Sequence, residues 1–589
     1  MTKFKIHYYK PKKVILSDLE KQNENENYQP FDIQGFQSYH PIYPTFFELN
    51  ENNYDSVAFN HRYHVVDLHQ VFDSQTSQIV ERELFIKFAP LLDPVRYFIG
   101  RYKSQEGLNI LPKLSDNTDV HEKLSNPNNA SYIDNFFCYL SSQLLNHHGY
   151  VHGVDYYGSF LGIQKKFKMN IADDIDYLLQ SDYFNENKGK LYEVEQQESP
   201  FANFGSRTNK EKLCIHNGSN VSTFSLVELE GVDLLEEVEI LDEKECVYEK
   251  ESTVSSDDSN SELNYSDDED SRVDASEEGD EFDDSSSESE EEESEGDKGD
   301  KSEGEESGEE ESEEEEESES EEEESEEEES EEEESEGEVP LNAYIYDFPV
   351  QMICMEKCTG TLDELFENQI LDLDTAASAL FQVIMILMAY QKAYAFTHND
   401  LHTNNIMYIE TKEEWLYYTV RGQHYKVPTY GKIFKIIDFG RAIYRFQGKI
   451  FCSDSFAPGG DAATQYNCEP YFNDNKPRLD PNYSFDLCRL GCALYDFLLD
   501  IDDENESGFA PDPLQKLIID WVTDDNGKNV LYKKNGSERY PSFKLYKMIA
   551  RTVHNKTPED QLDKAYFAQY KIKQLDGVAM NLDALPSYV

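Results

Sequence analysis

The stretch that decides the fold is residues 398–405, which read His398-Asn399-Asp400-Leu401-His402-Thr403-Asn404-Asn405. A strand-like run downstream of it ends in Asp438-Phe439-Gly440. Phosphoryl transfer needs one carboxylate that orients the attacking hydroxyl. It also needs an amide and a second carboxylate that hold magnesium against the nucleotide phosphates. Asp400, Asn405 and Asp438 offer these groups in this order, so the two motifs together predict a phosphoryl-transfer site.

Negative charge is concentrated in one segment of the chain. The 589 residues carry 121 acidic and 52 basic side chains, a formal net charge of −69. Residues 251–338 hold 49 of those acids and only 3 bases, and Ser and Glu dominate the segment. Such a segment has too little apolar surface to collapse, which predicts disorder. The charge argues against nucleic acid or an anionic membrane as a direct partner and favours basic partners.

The sequence carries no signal for export or for a membrane span. Its nine cysteines form no Cys-x-x-Cys pair, and those at 354, 358, 488 and 492 lie in apolar runs typical of reduced core thiols. The amino terminus lacks an apolar signal core. The longest apolar run, residues 383–390, is too short to cross a bilayer. We therefore expect an intracellular protein that is not secreted and has no transmembrane segment.

The chain before the acidic segment shows a strand, helix and strand order. Residues 64–72 and 79–88 surround the polar turn 73–76, which predicts a β-hairpin. The second of these strands closes on Lys87. Residues 131–147 place apolar side chains at helical spacing, and another strand is predicted after them.

The chain after the acidic segment resumes with a strand over residues 348–358. A long apolar helix is predicted over residues 375–394 and leads directly into the motif quoted above. Two strand-like arms, residues 406–409 and 433–437, are joined by a long hairpin. An apolar helix is predicted over residues 486–495.

These motifs resemble the protein-kinase-like superfamily, and the chain is most similar to the predicted serine/threonine protein kinases of large nucleocytoplasmic DNA viruses. The resemblance rests on residues 348–365, 397–407, 434–444 and 484–497 and extends loosely over residues 54–170 and 341–589. It implies an α+β, bilobal protein-kinase-like fold. An antiparallel β N-lobe would join a mainly helical C-lobe, with the acidic segment as a long disordered insertion.

The resemblance also implies a division of the chain. The parts are an N-terminal extension (1–50), the first part of the N-lobe (51–170), a partly ordered insertion (171–250), the acidic Ser/Glu low-complexity segment (251–338), the last N-lobe strand with the hinge (339–358) and the C-lobe (359–589). Strands are predicted inside the insertion at residues 223–227 and 238–240. Because the strands that flank an insertion at this place are neighbours, its two ends are expected at adjacent points on the surface.

The resemblance assigns roles to residues of the C-terminal part. Asp400 is the catalytic carboxylate, and His402 stands where a lysine usually faces the transferring phosphate. Asn405 and Asp438 are the magnesium ligands, since both offer the hard oxygens that this ion prefers. The buried Asp486 is expected to brace the backbone of the catalytic loop.

The resemblance also assigns residues to a nucleotide site. Lys87 is expected to reach the α and β phosphates of ATP. Asp134 is the candidate acid that pairs with Lys87, and Glu122 is the alternative. Met355 lies in the hinge that contacts adenine. The implied cofactors are therefore ATP and Mg²⁺.

Several residues depart from the usual kinase pattern. There is no glycine between Gly35 and Gly100, so a glycine-rich phosphate loop before Lys87 is absent. Either a differently built loop over residues 59–62 covers the nucleotide, with Arg62 as a counter-charge, or turnover is poor. Asn399 stands where many kinases carry an arginine that reads a phosphorylated activation segment, which suggests that activity is not gated in that way.

Three functions are compatible with this pattern. The first is an ATP- and Mg²⁺-dependent protein kinase acting on Ser or Thr of a protein substrate, for which the acidic segment favours a basic one. The second is a catalytically weak kinase-fold scaffold whose acidic segment binds basic proteins. The third is a small-molecule hydroxyl kinase of the aminoglycoside-kinase type. The sequence leaves the oligomeric state open.

Overall fold

The computed structural model describes residues 2–11, 14–23, 28–102, 107–115, 117–172, 174–195, 341–499 and 510–589. These residues form a mixed α+β structure whose sheets are antiparallel, except for one parallel pairing of two short strands. The acidic segment and the two strands predicted at 223–227 and 238–240 lie outside the described residues.

The elements before the undescribed stretch are mostly short strands. The strands are β1 (Tyr8–Tyr9), β2 (Ile33–Gln37), β3 (Ala58–Phe59), β4 (Tyr63–Asp67), β5 (Gln70–Asp73), β6 (Gln78–Glu81), β7 (Leu84–Pro90), β8 (Tyr156–Asn170) and β9 (Tyr192–Val194). The α-helices are α1 (Leu16–Glu20), α2 (Pro94–Phe98), α3 (Glu122–Ser125), α4 (Ala130–His148), α5 (Ile175–Leu179) and α6 (Asp182–Asn187).

The elements after it include the longest helices. The strands are β10 (Asn342–Glu356), β11 (Gly360–Thr361), β12 (Ile406–Glu410), β13 (Trp415–Val420), β14 (Gln423–Pro428), β15 (Lys432–Ile436), β16 (Ile443–Phe446), β17 (Lys449–Cys452), β18 (Lys571–Ile572) and β19 (Ala579–Asn581). The α-helices are α7 (Leu362–Glu367), α8 (Leu373–Tyr394), α9 (Phe485–Leu498), α10 (Pro513–Trp521), α11 (Lys544–Thr552) and α12 (Pro558–Gln561).

The largest sheet has the strand order β2-β8-β10-β7, and β9 also pairs with β10. Residues 348–355 of β10 are all buried, which explains why this strand reads as a continuous apolar run rather than an alternating one. In the β7–β10 ladder Lys87 lies opposite Ile353. The sheet therefore fixes the position along β7 from which the side chain of Lys87 projects.

The ends of the undescribed segment 196–340 lie next to each other, as the sequence predicts. The amide of Glu195 donates to the carbonyl of Asn342 at 2.9 Å, and Val194 pairs with Ala343 in the β9–β10 ladder. The chain therefore leaves and re-enters the sheet through one closed pair of strands.

The predicted hairpin over residues 64–72 and 79–88 is divided further than the sequence suggests. Its polar turn does join β5 to β6, but β4 and β5 already fold back on each other with Asp67 opposite Gln70. The carboxylate of Asp67 accepts from the amide of His69 and closes this extra turn. Leu68 is fully buried, so alternation alone does not distinguish one long strand from two short ones.

Helix α4 covers the helix predicted over residues 131–147 and adds one residue at each end. The side chain of Asn129 accepts from the amide of Ser131 and caps the start. Gly149 ends the helix in the left-handed region, at φ 65°. Because residues 131–144 are all buried, α4 packs on every side rather than along one stripe.

Helix α8 contains the helix predicted over residues 375–394. Of the described residues, it is the one helix long and apolar enough to span a membrane, but 78% of its apolar window is buried inside the protein. It belongs to the large hydrophobic core, and its last residue lies just before the catalytic-loop motif. We conclude that its hydrophobicity serves the core.

The predicted arms at 406–409 and 433–437 correspond to β12 and β15, which pair in antiparallel register with Ile406 opposite Ile436. The long connection between them is itself a hairpin, β13–β14. Helix α9 contains the helix predicted over residues 486–495. Both predictions are confirmed, and together these elements surround the motif at residues 398–405.

Gly491 on α9 gives a test of this packing. A β-carbon at this position would lie 2.9 Å from Cβ of Trp521, the last residue of α10. Alanine normally stabilises a helix interior by about 1 kcal/mol relative to glycine. Here we expect Gly491→Ala to lower the free energy of unfolding by about 1–3 kcal/mol, because α9 and α10 must separate. Denaturant unfolding measures this, and a gain in stability would contradict the close helix contact.

Candidate active site

Lys87 of β7 is buried and bonded to two carboxylates. Its Nζ lies 3.0 Å from Oδ2 of Asp134 on α4 and 3.0 Å from Oδ1 of Asp438, which follows β15. The side chains of Lys87 and Asp134 are only 8% and 3% exposed. The structure thus brings together three of the residues that the sequence singles out. They come from positions far apart in the chain.

The charges of this cluster follow from burial and mutual contact. Burial lowers the pKa of Lys87, but the two carboxylates outweigh it and raise the pKa above its ordinary value. Burial raises the pKa of Asp438, but the ammonium of Lys87 outweighs it and brings the pKa below its usual range. Burial and the charge of Asp438 raise the pKa of Asp134 despite Lys87. Lys87 therefore favours the charged form of Asp438 more strongly than that of Asp134.

Asp134 also holds the backbone next to Asp438. Its Oδ1 accepts from the amide of Phe439 at 2.9 Å. The ring of Phe439 is fully buried and lies 4.6 Å from the ring of Phe137, one turn further along α4. Helix α4 therefore fixes both Lys87 and the segment that carries Asp438.

The motif at residues 398–405 is held by α9 and by the strand end before Asp438. Asp486 accepts from the backbone amides of His398 at 2.9 Å and Asn399 at 2.8 Å, so the predicted bracing role of Asp486 is confirmed. The His398 Nδ1 accepts from the amide of Asp400, and Nε2 bonds to the carbonyl of Ile437. Because burial lowers the pKa of His398, the ring is neutral, with the proton on Nε2.

Asn399 has a structural role that the sequence analysis missed. Its φ of 65° lies in the left-handed region, which asparagine tolerates better than most residues. Its amide nitrogen donates to the carbonyl of Arg441 at 3.0 Å, and its oxygen accepts from the hydroxyl of Tyr466 at 2.8 Å. Asn399 thereby joins the motif to both ends of the segment 441–466. In the sequence, the only sign of this role is that an asparagine stands next to Asp400.

Asp400 is buried and contacted from the C-terminal part of the chain. The hydroxyl of Tyr546 on α11 lies 3.2 Å from Oδ1 of Asp400, and Nε of Arg489 on α9 lies 4.0 Å from the same oxygen. Burial lowers the pKa of His402 to about 4, so that ring is neutral at pH 7. Sequence analysis missed Tyr546 and Arg489, because a Tyr and an Arg inside helices carry no motif of their own.

Asn405 and Asp438 are the candidate donor pair for a hard divalent cation. The amide nitrogen of Asn405 donates to the backbone carbonyl of Asp400 at 3.0 Å, which turns the amide oxygen away from that carbonyl. Asp438 is ionised, as shown above. No group of three or more His, Cys, Asp and Glu side chains suited to a metal occurs in the described ranges. An amide and a carboxylate fit magnesium, which usually binds few protein groups together with water and phosphate oxygens.

Other candidate residues stand apart from this cluster. Glu122 is exposed on α3 and makes no ion pair with Lys87. Met355 is buried on β10 and lies opposite Phe85, which precedes Lys87 by two residues on β7. Met355 does not border the cleft around Lys87.

The loop over residues 59–62 does not cover the cleft, so this expectation was wrong. Phe59 is fully buried, and its ring stacks on Tyr139 of α4 at 4.5 Å. Arg62 bonds to Asp73 at 3.0 Å within the β4–β5 pair, so it is not a counter-charge above Lys87. In the sequence Phe59 stands beside polar residues, as in a surface loop. In the structure its ring packs on α4.

The segment after the Asp438 motif is fixed by its own carboxylates. Asp454 accepts from the amide of Ala130 at the start of α4, at 3.1 Å, and pairs with Lys123 at 3.0 Å. Asp461 pairs with Arg96 at 3.0 Å. A carboxylate at the first turn of a helix is stabilised by the unpaired amides and the helix dipole. The segment is therefore attached to α4 without any added group.

No family model matches the chain. Segments of 105 and 116 residues are 30% identical to serine/threonine-protein kinase haspin of Bos taurus and of Mus musculus. Each match covers 18% of this chain, and the matches span only 13% and 15% of the two relatives. The similarity supports a relationship to the protein-kinase-like superfamily. The resemblance to viral kinases stays a prediction.

The buried ion pair gives a stability test that needs no substrate. We expect Lys87→Met to lower the free energy of unfolding by about 3–5 kcal/mol, because two buried carboxylates lose their partner. Adding Asp134→Asn should recover part of this loss, since it removes one of the two stranded charges. The measurement is denaturant unfolding of both variants.

Lys166→Met is the matched control. Lys166 pairs with Glu193 at the same distance of 3.0 Å, but both side chains are 51% exposed. We expect a change of less than about 1 kcal/mol for this exposed pair. Equal losses for the two lysine variants would contradict the burial argument.

Proposed function

We propose that this chain is an ATP- and Mg²⁺-dependent protein kinase that transfers the γ-phosphoryl group to Ser or Thr of a protein substrate. Asp400 is the catalytic base in this proposal. The observation that carries it is the ion pair of Lys87 with Asp134 and Asp438. That pair joins three segments whose separate motifs suggest nucleotide and metal binding.

One cleft supports the assignment of these roles. Lys87, Asp134, Asp400 and Asp438 all border it. In the proposed bilobal fold, the sheet β2-β8-β10-β7 and α4 form the N-lobe, and the helices from α8 onward form the C-lobe. Met355, at the end of β10, does not border this cleft, so its contact with adenine stays a prediction.

The proposed reaction divides the work among these side chains. Asp400 orients the attacking hydroxyl and takes its proton, while Lys87 holds the α and β phosphates. Asn405 and Asp438 would hold the metal. Bound Mg-ATP supplies the phosphoryl group together with the charge neutralisation that its transfer needs. The neutral His402 offers the phosphate one hydrogen bond where a lysine would offer a full charge.

We infer that this activity does not require phosphorylation of the segment after Asp438. Asn399, which replaces the usual phosphate-reading arginine, is bonded to Tyr466 instead. Asp454 already supplies a negative charge to the start of α4 and to Lys123. A phosphate commonly supplies such a contact by pairing with basic side chains.

A catalytically weak scaffold that binds basic proteins is the second candidate. The observation that favours it is the absence of a glycine-rich phosphate loop, together with the burial of Phe59 away from the cleft. A small-molecule kinase of the aminoglycoside type has only His402 in its favour. Transfer assays with different acceptors separate the three.

We expect Asp400→Asn to reduce phosphoryl transfer by about 10²–10⁴-fold while nucleotide affinity is kept. Asp438→Ala should also weaken Mg²⁺-dependent nucleotide binding, because a metal ligand is lost. Labelled ATP is incubated with a basic protein, an acidic protein and an aminoglycoside, and binding of a fluorescent nucleotide is measured in parallel. Asp576→Asn, an exposed carboxylate paired with Lys426, is the control that should change neither quantity.

The outcomes discriminate between the candidates. Unchanged transfer in Asp400→Asn would refute the proposed base. Nucleotide binding without transfer by the unaltered protein would favour the scaffold, and transfer to the aminoglycoside alone would favour the small-molecule kinase.

We also propose that the acidic segment tethers basic protein partners. Deleting residues 254–338 should leave the melting temperature nearly unchanged, because the segment has almost no apolar side chains to contribute to a core. The deletion should abolish binding to a basic protein, because it removes the negative charges that attract that protein. The binding should be salt-sensitive, since attraction between charges is screened beyond about 8 Å in physiological salt. Replacing the segment by a Gly/Ser linker of equal length separates charge from length. Full binding by that linker variant would leave only a spacer role.

A further inference from the structure

Two polar groups next to Asp400 have no part in the reaction described above. Tyr546 donates its hydroxyl to Asp400, and Nε of Arg489 donates to the oxygen of Tyr546 at 2.7 Å. The guanidinium also lies over the ring of Tyr546, 5.3 Å from its centroid. Guanidinium, hydroxyl and carboxylate therefore form one continuous chain of contacts that ends on Asp400.

We propose that Arg489 and Tyr546 are positioning residues that hold the carboxylate of Asp400 in the orientation needed to receive the substrate hydroxyl. This inference rests on the proposed kinase activity and extends it from the motif residues to α9 and α11. Neither residue needs to touch the substrate, the nucleotide or the metal. Both act through Asp400.

The geometry explains why Asp400 needs such support. Asp486 holds the backbone of the loop at His398 and Asn399, whereas Tyr546 contacts the side chain of Asp400 itself. Arg489 lies three residues after Asp486 on α9, so both side chains leave the same face of the helix. One helix face thus holds the loop backbone through Asp486 and the catalytic side chain through Arg489 and Tyr546.

The neighbouring His402 cannot substitute for Arg489. Its position is the one where a lysine would place a positive charge beside the reacting groups, yet burial lowers the pKa of His402 to about 4 and leaves it neutral. Arg489 stays charged at every physiological pH. The positive charge next to the Asp400 carboxylate is therefore that of Arg489 on α9.

Stability alone does not account for Arg489. The residue is 1% exposed, and its Nη1 has no hydrogen-bond partner among the described residues. Burying a guanidinium with an unsatisfied donor is unfavourable, and an apolar residue of similar length commonly fits such a site equally well or better. Packing alone therefore does not require an arginine here, whereas the contacts of Arg489 with Tyr546 and Asp400 do.

The test is a kinetic comparison of the full-length protein with Mg-ATP and a protein acceptor. We expect Tyr546→Phe to lower kcat by about ten- to hundred-fold, the effect of losing one hydrogen bond to a charged group. The KM for ATP should change less than about twofold, because the lost contact serves the transition state rather than nucleotide binding. Tyr532→Phe is the matched control, since the hydroxyl of Tyr532 donates to Asp496 at 3.0 Å, away from Asp400. It should leave kcat unchanged.

Arg489 variants separate positioning from folding. Arg489→Met should lower kcat, measured where the variant is fully folded, at least as much as Tyr546→Phe; its melting temperature should fall as well, because the buried carboxylate of Asp400 loses a charged partner. Arg489→Lys should recover part of kcat, because it restores the charge without the planar fork. The double variant Arg489→Met/Tyr546→Phe should be no slower than the slower single variant, because both act along one chain of contacts.

Two results would overturn the inference. One is a kcat in Tyr546→Phe equal to that of Tyr532→Phe. The other is a loss of kcat in fully folded Arg489→Met that is not recovered by Arg489→Lys. Failure of the proposed function itself is seen separately, because Asp400→Asn or the unaltered protein would then contradict it.

Discussion

The buried ammonium of Lys87 is the constraint around which the described structure is organised. A charge that is almost fully removed from water is tolerated only when oppositely charged partners are in place. Its partners, Asp134 and Asp438, come from α4 and from the end of β15. The sheet, the helix and the strand end can therefore reach their final packing only together. Asp134 adds to this coupling because it also holds the amide of Phe439.

A second set of contacts keeps the chain in unfavourable backbone conformations where the chemistry is proposed. Asn399 and Asp438 have φ values of 65° and 57°, which most residues avoid. The compensation comes from three contacts: the amide of Asn399 donates to Asp486, the hydroxyl of Tyr466 donates to the side chain of Asn399, and Lys87 pairs with Asp438. The neutral His398 fits the same logic, since one nitrogen accepts and the other donates only if the ring carries a single proton. Rigid support of this kind is what precise placement of reacting groups requires.

Much of this arrangement could be predicted from the sequence. Helices α4, α8 and α9 and the strands β12 and β15 follow from periodicity, and the bracing role of Asp486 follows from the resemblance to protein kinases. What could not be predicted depends on tertiary contacts. The turn at Leu68 is fixed by a local side-chain bond, and the burial of Phe59 depends on the apolar surface of α4. Arg489 and Tyr546 acquire significance only because α9 and α11 bring them to one carboxylate.

The closed pair of strands at Glu195 and Asn342 has a consequence for how this chain can change over time. Because β9 and β10 meet before the chain leaves the sheet, residues added or lost beyond that point do not shift the register that sets Lys87 opposite Ile353. The entropic cost of closing a loop rises only with the logarithm of its length, by about 0.6 kcal/mol for each doubling. Gene segments of very different size can therefore be accepted or discarded here without altering the fold. A reporter domain can be inserted at the same junction.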